Sequence, residues 1–224
     1  MKLYMHPVST TSRPVRLFAA ENGIAMEEQV IDLMTGEHYK EPFVAINPNR
    51  LVPVLQDGDF RLTESSAILK YLADKIGSPA YPQDPRQRAR VNEMMDWFNT
   101  DFYRAYGYGL VYPQIFPNHR RPSDESQKVT VEWGKAQAKA AFGVLNDHWI
   151  GATKPYVCGN VMTIADYMGA CYVTIGEIIR CDLSPYPNVQ RWLGNMKRLK
   201  SWPKVNEMLY GFAASVKDQS FNAL

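Results

Sequence analysis

Glu64 and Ser65 stand at the predicted start of a helix, a position suited to a charged ligand. Thr63 is the predicted N-cap, and the free N–H groups at a helix N-terminus favour a carboxylate. Ser65 adds a hydroxyl there, and the Glu64 carboxylate can pair with an ammonium group. Together they suit the amino-acid end of a zwitterion, although they also fit a capped helix that binds nothing.

Val52 and Pro53 lie one predicted strand earlier in the chain. Proline holds its own φ and keeps the preceding residue extended, so the backbone groups of Val52 are free to pair with a peptide. Asp57-Gly58 then predicts a hairpin turn between two short β-type runs. The stretch predicts a site for a small peptide with a free amino-acid end, or else only a hairpin that leads into a capped helix.

The composition is that of an ordinary globular protein, with 224 residues, 46% hydrophobic and 21% charged. A net charge of +2 argues against a nucleic-acid partner, and no apolar run approaches the roughly 20 residues that span a membrane. Cys158, Cys171 and Cys181 are far apart and form no C-x-x-C pair, which argues against a disulfide framework, a zinc site or any other metal site. Without a signal peptide, a reducing, cytoplasmic setting is the simplest expectation.

The elements that must position these residues begin with a strand–helix–strand unit. The predicted strands are Lys2–Met5 and Gln29–Leu33, on either side of a helix from Arg13 to Asn22. A hydroxyl-rich loop separates the first strand from that helix, and a short helix is expected around residues 39–45. The hairpin and the helix after Thr63 complete a thioredoxin-like α/β domain with a mixed four-stranded sheet and helices.

A Pro-rich segment divides the chain, which predicts a domain at 1–77, a linker at 78–85 and an all-helical domain at 86–224. In the helical part, Val91, Met95, Phe98 and Phe102 mark one face of a long helix. Thr163–Asp166 is a predicted capping box, and the tail after Ser215 is expected to be loosely held.

In this order and spacing, the chain resembles the cytosolic glutathione transferases, and most of all their theta and delta classes and bacterial relatives. The resemblance covers nearly the whole chain. Its carriers are the proline-rich linker, the helical second half, the capping box, and the motifs Asn47-Pro48, Val52–Leu55, Asp57-Gly58 and Thr63–Ile68.

The resemblance implies that a hydroxyl in the first loop ionises the thiol of glutathione. Theta and delta enzymes place a serine four residues before an arginine that opens the first helix, and here Ser9 precedes Arg13 by four. The usual residues between them are replaced by Thr10-Thr11-Ser12, so Thr10 or Thr11 remains an alternative donor. Classes that use a cysteine are disfavoured because no cysteine lies in the first 157 residues.

The resemblance also assigns the glutathione-binding positions. Val52 would pair with the cysteinyl unit beside a cis Pro53, while Glu64 and Ser65 would hold the γ-glutamyl end. His38 and Arg50 would lie near the glycine carboxylate, with an exposed loop histidine as the alternative for His38. A homodimer is implied as well.

An aromatic cluster is expected to line the pocket for a hydrophobic electrophile, unless its members belong to the core: Tyr103, Tyr106, Tyr112 and Phe116. The expected activity is a detoxification reaction, the conjugation of the glutathione thiolate to that electrophile by substitution or addition. Glutathione-dependent dehalogenation or peroxide reduction, and a non-catalytic binding module on the same fold, are the alternatives. The absence of cysteines at the site argues against a thiol–disulfide oxidoreductase.

Overall fold

The computed structural model describes residues 1–224. Its N-terminal part is built on a four-stranded mixed sheet. The order across the sheet is β2-β1-β3-β4, with β1 parallel to β2, β1 antiparallel to β3, and β3 antiparallel to β4. The predicted thioredoxin-like layout and the hairpin at Asp57-Gly58 are confirmed. The strands are β1 Lys2–Met5, β2 Glu27–Val30, β3 Val54–Asp57 and β4 Phe60–Leu62.

The second strand begins and ends earlier than predicted. β2 is an edge strand whose only partner is the four-residue β1, and its register pairs Lys2 with Glu27 and Met5 with Val30. Its partner therefore sets its length. The apolar Ile31, which favoured a later strand, lies just beyond β2 and packs in a small core with Phe43 and Val54.

The helices of this part also differ in detail from the prediction. The short helix expected at 39–45 is divided into a 3-10 turn at Glu37–Tyr39 and a helix at Phe43–Ile46, because Pro42 lacks an N–H and restricts the residue before it. The helix after the hairpin starts at Ser65, with Glu64 and not Thr63 as its N-cap. The helices are α1 Ser12–Glu21, α2 Phe43–Ile46 and α3 Ser65–Lys75.

The rest of the chain is helical, as predicted. The first long helix continues through two π-helical segments, Phe98–Phe102 and Arg104–Val111, and its predicted apolar face is buried. Pro85 opens this helix, and the Asp84 side chain caps it by accepting from the Gln87 N–H at 2.9 Å. The helices are α4 Pro85–Trp97, α5 Tyr112–Ile115, α6 Asp124–Val144, α7 Ile164–Val173, α8 Pro187–Lys197 and α9 Trp202–Ser215. A π-helical segment at Leu145–Ile150 and 3-10 turns at Pro117–His119 and Thr174–Glu177 complete the set.

The predicted capping box of α7 is confirmed. The Asp166 carboxylate accepts from the Thr163 N–H at 2.8 Å and from the Thr163 hydroxyl at 3.0 Å. All ten residues of α7 are buried. One hydrophobic core of 47 buried residues joins the sheet, α1 and α3 to the helices of the second half. The two parts are therefore packed against each other and can together form the walls of a single cleft.

The tail after Ser215 is not loosely held, contrary to the prediction. Phe221, Ala223 and Leu224 pack against the main core, and Asn222 is hydrogen-bonded to Gln114. The expectation rested on the usual looseness of chain ends, and the sequence did not reveal these contacts because their partners lie far away in the chain, as with Gln114, 108 positions before Asn222. No helix is long and apolar enough to cross a membrane.

Candidate functional site

A cleft of about 920 Å³ lies between the sheet and the helices of the second half. One side is formed by the loops that follow β1 and precede β3, together with the start of α3. The other side is formed by the π-helical segments, the turn at 117–119 and the 172–178 region. All but one of the sequence-predicted site residues line this cleft.

Three neighbouring hydroxyls in the loop before α1 have different partners. Thr10 is buried, and its Oγ1 accepts from the Tyr112 hydroxyl at 2.8 Å. Thr11 donates to the Val52 carbonyl at 2.9 Å. Ser9 is half-buried in the cleft, 3.1 Å from the Thr11 Oγ1, and accepts the Ser12 N–H at 3.2 Å.

The consequence is that the three hydroxyls differ in exposure and role: Thr11 donates to a carbonyl, Thr10 is a buried acceptor, and Ser9 is a half-buried donor to another hydroxyl. Because the Thr11 proton goes to the Val52 carbonyl, Ser9 donates in the Ser9–Thr11 contact. That contact joins two hydroxyls, and a rotation of the Ser9 hydroxyl about its Cβ–Oγ bond redirects its proton to an acceptor in the cleft. The first N–H of α1 would still support the oxygen, and the N-terminal dipole of α1 favours an anion there.

The groups predicted to hold a peptide lie together on the sheet side of the cleft. Val52 lies two residues before β3, is joined to Pro53 by a cis peptide bond, and has its carbonyl already bound by Thr11. Ser65 is buried as the first residue of α3. Glu64 precedes it with a φ of +65°, and its exposed side chain makes no capping hydrogen bond. The Glu64 carboxylate lines the cleft and forms no hydrogen bond or ion pair with another side chain, so it can bind a ligand.

His38 and Arg50 form the adjacent edge of the cleft. His38 is buried, not exposed as in the alternative interpretation, and its ring packs on Tyr39 with centroids 3.9 Å apart. Its Nδ1 is buried without a partner, which makes it a candidate to bind a ligand. Burial lowers the pKa of His38, so at neutral pH it acts as a neutral hydrogen-bonding group. Arg50 is exposed at the mouth with a φ of +59° and offers a free guanidinium to a carboxylate.

Comparisons with known proteins identify the family. Residues 1–74 match the N-terminal domain and residues 110–200 the C-terminal domain of glutathione S-transferases. Glutathione S-transferase D7 of Drosophila melanogaster is 32% identical over 202 residues, covering 89% of this chain and 85% of that protein. The chain belongs to the glutathione S-transferase family.

Solved structures place it within the delta and theta branch of the glutathione S-transferases. A delta-class glutathione transferase from Nilaparvata lugens superposes with a TM-score of 0.82 at 31% identity, covering 96% of this chain and 98% of that one. Human glutathione transferase theta-2, solved in complex with glutathione, superposes with a TM-score of 0.85 at 28% identity, covering 99% and 92% of the two chains. The chain is a glutathione S-transferase of delta/theta type.

Aromatic side chains form the wall of the cleft that faces the hydroxyl loop. Tyr103, Tyr112 and Phe116 line it, and the hydroxyls of Tyr103 and Tyr112 are hydrogen-bonded to each other. Burial raises the pKa of Tyr112 to about 12 and that of Tyr103 well above its usual value. Both phenols are therefore protonated at neutral pH and serve as hydrogen-bonding groups within an apolar wall.

Tyr106 was wrongly predicted to line the pocket. Its side chain is fully buried on the opposite face of the π-helical segment, packed edge-on against Phe142 and donating to the Val173 carbonyl at 3.3 Å. The i, i+3 spacing that would place Tyr106 beside Tyr103 assumes a regular α-helix. Residues 104–111 are π-helical, which changes the angle between successive side chains.

Several lining residues were missed. Tyr108 and His119 belong to the same aromatic wall, with ring centroids 5.5 Å apart. Tyr172 closes the cleft from α7 and donates to the Asn99 Oδ1 at 2.8 Å. Tyr108 could have been predicted, because it lies in the same Tyr-rich run as Tyr103 and Tyr112. Tyr172 could not, because it lies about 60 positions after Tyr112 on a helix whose packing partner the sequence did not reveal. The other missed lining residues include His6, Ile175 and Ile178.

Proposed function

We propose that this member of the family ionises glutathione through Ser9 and conjugates the thiolate to a hydrophobic electrophile held against the aromatic wall. The observation that carries the assignment is the set of hydroxyl partners in the first loop. Thr11 donates to the Val52 carbonyl and Thr10 is buried as the acceptor of the Tyr112 hydroxyl, whereas Ser9 is only half-buried in the cleft. A hydrogen bond donated to a thiolate favours the charged form and lowers the pKa of the thiol from its usual value of roughly 8.5–9.

We further propose how the peptide is held. The Val52 backbone pairs with the cysteinyl unit, and Ser65 with the N-terminus of α3 binds the γ-glutamyl carboxylate. Glu64 pairs with the ammonium group, and Arg50 with His38 receives the glycine carboxylate. The positions of these groups around one cleft support the proposal, since together they match both charged ends of the tripeptide.

The electrophile is proposed to occupy the space between Ser9 and the wall formed by Tyr103, Tyr112 and Phe116. A mostly apolar wall favours a hydrophobic molecule, and its position beside the thiol brings the reacting atoms together. Rate acceleration then comes from thiolate stabilisation and from proximity. The thiol proton leaves to solvent before the sulfur attacks, so Ser9 needs only to donate a hydrogen bond and need not act as a base.

The expected domain limits are also proposed: a glutathione-binding part at 1–77, a connection at 78–85 and a helical part at 86–224.

A homodimer is supported by exposed apolar side chains beside the hairpin, where Phe60 is 46% and Ile76 43% exposed. Sedimentation equilibrium distinguishes this from a monomer. Three free cysteines support a reducing, cytoplasmic location.

The test compares Ser9→Ala with Thr10→Val and Thr11→Val in an aryl-halide conjugation assay. Ser9→Ala should lower kcat/KM by about 100-fold, the order found when one donor to an anion is removed. The ultraviolet absorbance of the bound thiolate, followed against pH, should show the pKa of the thiol returning toward its value in free glutathione. Full activity in Ser9→Ala with loss in Thr11→Val would move the assignment to Thr11.

A further inference from the structure

The segment 216–224, named here the strap, is fixed across the helical part of the molecule. Phe221, Ala223 and Leu224 pack against the main core. The Arg180 guanidinium lies 5.3 Å from the Phe221 ring centroid and donates to the Gln219 carbonyl. These contacts hold the strap at both its middle and its far end.

Three hydrogen bonds of Asn222 join the strap to α5 and α6. The Asn222 N–H donates to the Gln114 Oε1 at 2.7 Å, and the Gln114 Nε2 donates to the Asn222 carbonyl at 3.2 Å. One side-chain amide thus pairs with both backbone groups of one strap residue. The Lys135 Nζ on α6 donates to the Asn222 Oδ1 at 2.9 Å, so residue 222 connects α5 to α6.

The position of Gln114 gives this attachment its significance. Gln114 lies between Tyr112 and Phe116, and both of these line the cleft. Tyr112 opens α5, the four-residue turn that ends the long helix, and Phe116 follows it. Both side chains therefore lie at a helix end, where contacts with other elements fix their positions. Phe116 is further held by a parallel stack on Phe212 of α9, with centroids 6.0 Å apart and an interplanar angle of 2°.

We infer that the strap, through the Gln114–Asn222 pair, is a specificity-determining element that positions the Tyr112–Phe116 wall for the electrophile. This inference rests on the proposed function. The effect is selective, because the groups that face the peptide, Val52, Glu64 and Ser65, lie on the opposite side of the cleft. Gln114 is a positioning residue that acts through Phe116 and does not itself touch the reacting atoms.

The experiment compares Gln114→Ala with the wild type, using glutathione and a bulky aryl halide. Gln114→Ala should raise KM for the electrophile about three- to tenfold, the effect of losing a net hydrogen bond or two, while KM for glutathione stays within about twofold. A variant lacking residues 219–224 should show the same change in direction. Gln190→Ala, an exposed glutamine on α8 without a side-chain hydrogen bond, is the matched control and should leave both constants unchanged.

Hydrogen–deuterium exchange at residues 112–119 provides a second readout that does not need turnover. Exchange there should increase in Gln114→Ala and stay at the wild-type level in Gln190→Ala. An active wild type with unchanged electrophile KM and unchanged exchange in Gln114→Ala would overturn the inference. An equal rise in both KM values would also overturn it, because the effect would then be general. A wild type without turnover would defeat the proposed function, and the exchange data would still decide whether the strap holds this wall.

Discussion

At the scale of single residues, the site depends on which hydroxyl has its proton available. Thr10 connects the two halves of the molecule, because its buried Oγ1 accepts a hydrogen bond from the hydroxyl of Tyr112, 102 positions later in the chain. This bond ties the loop that carries Ser9 to the aromatic wall. It should therefore set the distance between thiolate and electrophile, whereas the ionisation of the thiol depends on Ser9.

Tyr112→Phe separates these two roles. Loss of its hydroxyl leaves the buried Thr10 without its partner, so the free energy of unfolding should fall by about 1–2 kcal/mol. The variant should lower kcat for conjugation severalfold while the pKa of bound glutathione, measured from thiolate absorbance, stays at the wild-type value. Tyr106→Phe is the matched control, since it removes a buried phenol hydroxyl outside the cleft and should affect stability alone. A raised pKa of bound glutathione in Tyr112→Phe would favour Thr10 as the activating hydroxyl.

At the scale of elements, α1 carries an unusual buried cation behind the site. Arg13, in its first turn, is fully buried, and its guanidinium donates to the Thr174 Oγ1 at 3.0 Å, the Asn206 Oδ1 at 2.7 Å and the Cys171 carbonyl at 2.6 Å. All three acceptors are uncharged, so the positive charge is hydrogen-bonded but not neutralised. It adds to the N-terminal dipole of α1 and favours an anion beside Ser9. The same bonds hold α1 against α7 and α9.

Asp166 organises the start of α7 and can be tested independently of the site. Besides the two bonds of the capping box, its Oδ1 accepts from the Val157 N–H and the Trp192 Nε1, each at 2.9 Å. Asp166→Asn replaces one carboxylate oxygen, which accepts hydrogen bonds, by an NH₂ group that would face N–H or O–H donors. The free energy of unfolding, measured in a urea titration, should therefore fall by about 2–4 kcal/mol. Asp182→Asn, in an exposed turn, should change it by less than about 0.5 kcal/mol. A neutral effect of Asp166→Asn would show that the box contributes little to stability.

At the scale of the whole molecule, the interior is rich in buried phenols. Burial raises the pKa of Tyr112 to about 12 and raises those of Tyr103, Tyr106 and Tyr172 further above their usual value near 10. The thiols behave similarly, with burial raising the pKa of Cys171 to about 11 and that of Cys158 to about 12. These groups remain protonated at neutral pH, so the buried phenols and thiols carry no charge and the cysteines are poor nucleophiles.

The protein should therefore unfold cooperatively in alkali. Below about pH 10 the phenols are protonated in both the folded and the unfolded state, so their ionisation does not change the free energy of unfolding there. As pH rises from there toward the raised folded values, the unfolded state loses protons that the folded state keeps. Each buried phenol then lowers the free energy of unfolding by about 1.4 kcal/mol per pH unit. Tyrosinate absorbance and circular dichroism should change together between about pH 10 and 12. Smooth ionisation of every tyrosine near pH 10 with the fold intact would contradict this.

The local signals in the sequence predicted the fold and half of the site. Helix and strand periodicities, the Asp57-Gly58 turn, the Val52-Pro53 step and the Thr163–Asp166 box all depend on neighbours a few positions away, and each was found in the structure. The starts of β2 and α3 were displaced, because an edge strand takes its length from its partner and Glu64 adopts a positive φ.

The sequence by itself determined the family resemblance, the arrangement of a sheet domain before a helical one, and a set of residues from His38 to Ser65 that line one side of the cleft. Only the tertiary structure decided how the hydroxyls of Ser9, Thr10 and Thr11 are hydrogen-bonded, why Tyr106 belongs to the core, and that residues 216–224 are fixed against α5. The physical reason is the same in each case. These outcomes depend on hydrogen bonds and packing between residues 40 to 110 positions apart, which no local pattern specifies.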